Sequence, residues 1–110
     1  MIFSSKDNTT VITQEKETIP ELIQEINKVY KAYRNDNLIV DLVTLNKVGT
    51  SEILEFLEIS NKHRKARHSF VIVSNAIDLD EIPDEIIVVP TLQEAFDIIE
   101  MEEIERDLGL

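Results

Sequence analysis

"NLIVDLVTLNKVGTSEILEFL", residues 37–57, is the stretch whose reading decides the fold. Leu38 to Val43 is a nearly unbroken apolar run, interrupted only by Asp41. Such a run reads as a strand buried on both faces, at the centre of a sheet that helices cover. A Gly-Thr-Ser turn follows, and from about Thr50 to Ala66 the spacing of Ile53, Phe56, Leu57 and Ser60 predicts a helix, with Leu54 widening its apolar face.

The neighbouring segments extend the pattern in both directions. On the N-terminal side, Ile19, Leu22, Ile23, Ile26, Val29, Tyr30 and Tyr33 repeat at helical spacing until Asn35-Asp36-Asn37 ends the run. Thr18 with Glu21 forms a capping box, and Pro20 fits a first helical turn, where its missing N–H does no harm. Before that, β-branched and aromatic residues around Ile2-Phe3 and from Thr9 to Thr13 flank the polar Lys6-Asp7-Asn8 and predict a hairpin. On the C-terminal side, Ser69 to Val73 and Ile86 to Val89 read as strands, joined by the acidic loop Asp78 to Asp84, and Pro90 stops the second strand. Thr91 and Glu94 suggest another capping box, Leu92, Ala95, Phe96, Ile99 and Ile104 supply the last apolar stripe, and Gly109 stands where a C-cap is often found. The order β-β-α-β-α-β-β-α implies an α/β fold: a mixed four- to five-stranded sheet with about three main helices, in a single domain of residues 1–110.

Composition narrows the function. With 43% hydrophobic and 30% charged residues the chain reads as an ordinary globular protein. A formal charge of -11 opposes general affinity for nucleic acid or anionic membrane, because phosphate binding needs cations. Without cysteine, neither a disulfide framework nor a thiolate metal site is available. The N-terminus lacks the pattern of a secretory signal and no apolar run reaches the roughly 18 residues of a membrane span, so a cytoplasmic location is expected.

The strand, the hydroxyl-bearing turn and the helix of residues 37–57, together with "SFVIVSN" at 69–75 and "IIVVPTLQEAF" at 86–96, resemble the STAS domain of anti-sigma-factor antagonists and sulfate transporter tails, over about residues 9 to 105. In that family the strand ends in an aspartate-leucine pair, here Asp41-Leu42, and an Asp-Ser-Ser-Gly motif follows whose second serine can be phosphorylated. Slid onto this chain, the motif falls on Gly49-Thr50-Ser51-Glu52, with Ser51 at the modifiable position. Gly49 replaces the acidic residue and Glu52 the glycine, so the hydroxyl pair alone is retained. "SNKHRKARHSFVIV" and "VVPTLQEAFDIIEMEEIERDLG" look like a group of short STAS-like bacterial proteins that have been named ribonuclease Z. That nuclease binds two metals through a His-x-His-x-Asp-His motif, whereas this chain has only His63 and His68, outside that pattern.

Two candidate sites follow. Around the turn, Ser51 and Thr50 form the candidate phospho-switch, and Lys47, Gly49, Glu52 and Glu55 the candidate partner-binding residues; the competing structural reading makes Thr50 an N-cap, worth about 1 kcal/mol. The resemblance implies a kinase-like anti-sigma partner at this turn. Lys62, Arg64, Lys65 and Arg67 are the candidate RNA or phosphate contact, though no aromatic residue is interleaved within this run, and cations at a helix C-terminus also complement its carbonyls. Through this run the chain would serve as an accessory to the nuclease in tRNA 3′-end processing. Buried Asp41 invites a catalytic reading but more often caps a turn, and the acidic loop lacks the spacing of a calcium site. Ile98 and Met101 lie off the stripe of the acidic last helix, so a second face against another chain, including a homodimer, is left open. No cofactor, metal site or membrane contact is expected, and no nucleophile, base and orienter assemble. The expectation is a non-catalytic protein-interaction module.

Overall fold

In the computed structural model, residues 1–45, 47–77 and 79–109 are described, Leu79 by its backbone alone. Five strands form one sheet in the order β1-β2-β3-β4-β5, with β1 Ile2–Lys6, β2 Thr9–Thr13, β3 Asn37–Asp41, β4 Phe70–Val73 and β5 Ile87–Val89. The hairpin of β1 and β2 is antiparallel and every later pairing is parallel. The helices are α1 Ile19–Tyr33, α2 Thr50–Leu54, α3 Leu57–Lys65 and α4 Leu92–Asp107. The α/β class, the mixed sheet and three main helices are thus as expected.

Period-two alternation explains the layers. The cross-strand row Ile12, Val40, Ile72 and Val88 faces one way and packs beneath Ile19, Leu22 and Ile26 of α1, Ile53 of α2, Phe56 at the junction and Ile59 of α3. Its neighbours Val11, Ile39 and Val71 face the other way, where α4 covers them through Ala95 and Ile99. β3 is buried along its whole length.

Local chemistry sets the helix ends. The Thr18 hydroxyl accepts the Glu21 N–H while the Glu21 carboxylate accepts the Thr18 N–H, completing the expected capping box. Thr91 gives half of one: its hydroxyl accepts the Glu94 N–H. Gly109, at φ 75, closes α4 as its C′ residue, with its N–H on the Arg106 carbonyl. α3 ends the same way without glycine. Arg67 takes φ 68, its N–H bonds to Arg64 O, and the His68 N–H reaches back to His63 O, forming a Schellman motif around a residue whose Cβ disfavours it. Arg67→Gly should therefore raise stability by about 0.5–1 kcal/mol in urea unfolding, and a loss of stability would refute the strain.

Three expectations are corrected. The helix expected from Thr50 to Ala66 is two, because Glu55 and Phe56 bond to the carbonyls three residues back, Glu52 and Ile53. That tightened turn seats both Ile53 and Phe56 in the core and turns Leu54 outward, 40% exposed, so Leu54 does not widen the buried face. The stripe of α4 runs only from Ala95 to Ile99: Leu92 and Ile104, both expected on it, are 38% and 54% exposed, whereas Ile98, expected off it, packs against the α4 cluster. Asn37 does not end α1 but opens β3, where its buried side-chain oxygen accepts from the Ser69 N–H and from Arg106.

Candidate functional site

The turn after β3 is an exposed loop on a fixed base. Val48 is buried before it and Ile53 and Phe56 after it, so the stretch between them is anchored in the core on both sides. Lys47, Gly49, Ser51, Leu54 and Glu55 are exposed. Ser51, Leu54 and Glu55 lie at i, i+3 and i+4 and share the outward side of α2. Val43, 47% exposed, adds a second apolar side chain just beyond the strand.

Capping here differs from expectation. Gly49, and not Thr50, is the N-cap: the Glu52 carboxylate accepts its N–H at 3.0 Å, while glycine has no side chain to complete a box. Its φ of -83 is open to any residue, and an added Cβ would meet Glu52 Oε1 at 3.5 Å, an ordinary contact, so the backbone does not demand glycine there. Thr50 instead donates its hydroxyl to Glu81 Oε2 at 2.6 Å, tying α2 to the 3-10 turn Leu79–Glu81. The Glu52 and Ile53 N–H groups both go to the Gly49 carbonyl. With α2 only five residues long and those amides engaged, a phosphate on Ser51 would act chiefly through charge, beside Glu52 and Glu55, and not through a helix N-terminus.

The basic run does not form one patch. Successive residues on a helix turn by about 100°, which sends its members to different sides. Lys62 lies 4.6 Å over the Tyr30 ring, on the α1 side. Arg64 pairs with Glu102 of α4 at 2.9 Å, on the other side, and Lys65 and Arg67 are exposed.

Between these cations lies a polar network that the motif reading missed. His63 is fully buried. Its Nε2 is 2.7 Å from the Asp36 carbonyl, which can only accept, so Nε2 carries the hydrogen and Nδ1 accepts the Tyr30 hydroxyl at 2.6 Å. Burial holds the imidazole at a pKa of about 4, with the charge of His68 acting in the same direction against the Asp36 hydrogen bond, and burial also raises the Tyr30 phenol above its usual value. The helical spacing Phe56, Ile59, His63 marks this histidine as inward-facing, but its partners on α1 and beyond lie too far along the chain for spacing to reveal. Nearby, the fully buried Ser60 hydroxyl has no partner among the described residues. Ser60→Ala is therefore expected to add about 1 kcal/mol, measured by thermal melting; a destabilised variant would mean that the hydroxyl is bonded.

At the C-terminal ends of the strands, where α/β proteins commonly place ligands, polar side chains are engaged with one another and with backbone. Buried Gln14 donates to the Glu17 carbonyl and accepts the Thr44 hydroxyl, Asp41 accepts the Val43 N–H, and Ser74 accepts that of Ala76. Asp41 is thus a turn cap. Asp78 of the acidic loop lies outside the described residues. Among the described residues no group of three or more histidine, aspartate or glutamate side chains could hold a metal ion, and no helix is long and apolar enough to cross a membrane.

Comparison with known proteins leaves these features to speak alone: no family model matches the chain and no curated protein matches it closely.

Proposed function

We propose that this chain is a non-catalytic, STAS-like interaction module that engages a protein partner through the turn of residues 47–52 and the outward side of α2. The observation that carries the reading is the pairing of an exposed hydroxyl, Ser51, with exposed apolar Leu54 on one side of a helix whose base is locked by Ile53 and Phe56. A fixed apolar projection within a polar rim suits protein recognition, since little ordering is required on binding. Ser51 is then the position at which added negative charge would oppose docking, in the manner of an anti-sigma-factor antagonist. The alternative, an RNA-processing accessory acting through Lys62 to Arg67, draws less support because that run divides between two sides of the molecule.

Capture from native extract tests this. A partner retained by the wild-type chain and by a Lys65→Glu control should be lost, with affinity down about tenfold or more, in Leu54→Lys and in Ser51→Asp. Equal capture by all four chains would overturn the assignment of the surface. Loss with Leu54→Lys but not with Ser51→Asp would keep the surface and remove the switch.

A further inference from the structure

We propose that the cavity between the C-terminal turns of α1 and α3 binds a small phosphate monoester, a site separate from the turn of residues 47–52. The cavity has a volume of about 400 Å³, within the roughly 300–1,000 Å³ typical of small-molecule sites. Its walls bring Lys31 and Arg34 from the end of α1 to face Lys62 and His68 from the end of α3 and the segment after it, with Tyr30 and Ala66 between them. Among the described residues no carboxylate lines it, although the chain carries 22 acidic residues against 11 lysines and arginines. Helix dipoles account for cations at each helix end, yet not for their convergence from two helices on one hollow.

Preorganisation is the second observation. His63 fixes the Tyr30 hydroxyl at 2.6 Å and stacks on the His68 ring at a centroid distance of 5.3 Å, so both walls hang from one buried imidazole. Lys62 is already seated 4.6 Å over the Tyr30 ring. Because the Tyr30 hydroxyl is committed to His63, the phenol offers its ring and not its oxygen, and with Ala66 it makes an apolar wall for the organic part of the ligand. Three permanent cations suit a group of charge near -2 better than a single carboxylate, and the planar Arg34 fork matches two phosphate oxygens. An extended polyanion is disfavoured, since beyond the cavity it would meet a surface of net charge -11.

The test is an amide NMR titration of the full chain with phenyl phosphate, inorganic phosphate and a short single-stranded RNA, at constant ionic strength. Phenyl phosphate should give saturable shifts at Lys31, Arg34, Asn35, Ala66 and His68, with inorganic phosphate shifting the same amides more weakly. Arg34 is exposed, so Arg34→Glu should fold and bind phenyl phosphate at least about tenfold more weakly, whereas Lys65→Glu, the same charge change outside the cavity, should alter affinity less than about twofold. Should Arg34→Glu fail to fold, Lys31→Glu, a reversal at another exposed residue of the cavity, provides the same comparison. Absence of saturable shifts, equal weakening in the two charge-reversed chains, or tighter binding of the RNA at these amides would each overturn the proposal.

Discussion

Replacing Phe56 by alanine is expected to cost about 3–5 kcal/mol, the range for truncating a fully buried aromatic ring. A domain of this size is stable by only about 5–15 kcal/mol, so the variant should lie near or beyond the edge of folding at 37 °C. The ring sits at the junction of α2 and α3, 6.4 Å from that of Phe70 of β4, within the core cluster that also holds Val48 and Ile53. Its loss should unfasten the turn before it loosens the rest. In urea unfolding monitored by amide exchange, residues 48–56 should lose protection first. A loss below about 1 kcal/mol would mean that the tightened turn between the two helices is not held by this side chain.

The second large effect is expected on acidification. In the folded chain His63 titrates at about 4, against an ordinary 6.5, because its neutral form is buried between Tyr30 and Asp36. Above pH 6.5 neither state binds the His63 proton and its contribution is flat, whereas the N-terminal ammonium, raised by its hydrogen bonds to Glu15 and Glu17, loses its contribution only as the pH rises past 8. As the pH falls below 6.5 the unfolded chain takes up a proton that the folded chain refuses, and stability drops until the folded form also protonates near 4. At about 1.4 kcal/mol per pKa unit the total is about 3–4 kcal/mol, complete only below pH 4. Glu17, lowered from 4.5 to about 2 chiefly by its hydrogen bond with the N-terminal ammonium, contributes losses only below pH 4.5. The window from 6.5 to 4.5 therefore reports His63. His63→Gln keeps an amide donor for the Asp36 carbonyl; it should be less stable at pH 8 by about 1–3 kcal/mol yet flat across that window. Constant wild-type stability from pH 7 to 5 would contradict a neutral, enclosed imidazole.

Features governed by neighbours in sequence were legible in advance. The Thr18–Glu21 box, the hairpin and the three strands that follow it each follow from spacing of a few residues. Ile104 was misread because it is five residues beyond Ile99, about 140° around the helix, while the inner line continues through Glu102 and Arg106, polar residues that reach Arg64 and Asn37. Periodicity likewise cannot separate one continuous helix from two joined by a tightened turn, since Ile53 and Phe56, three apart, satisfy both. The tie from Thr50 to Glu81 spans 31 positions and the Asn37 bridge to Ser69 spans 32, so neither leaves a local trace. For the candidate turn, sequence located the hydroxyls but neither the Gly49 N-cap nor the bond that ties Thr50 to Glu81.

The sequential order of strands bears on how the molecule comes into being on the ribosome. Each new strand can join the edge of those already emerged, so the sheet can grow as it is made, with each parallel pairing waiting only for the crossover that precedes it. The cover of one face, however, arrives last, because α4 follows all five strands. Until it emerges, Val11, Ile39, Val71 and Val73 present a bare aliphatic surface. Nascent chains stalled before residue 92 should thus be the form most prone to aggregation and most in need of a chaperone.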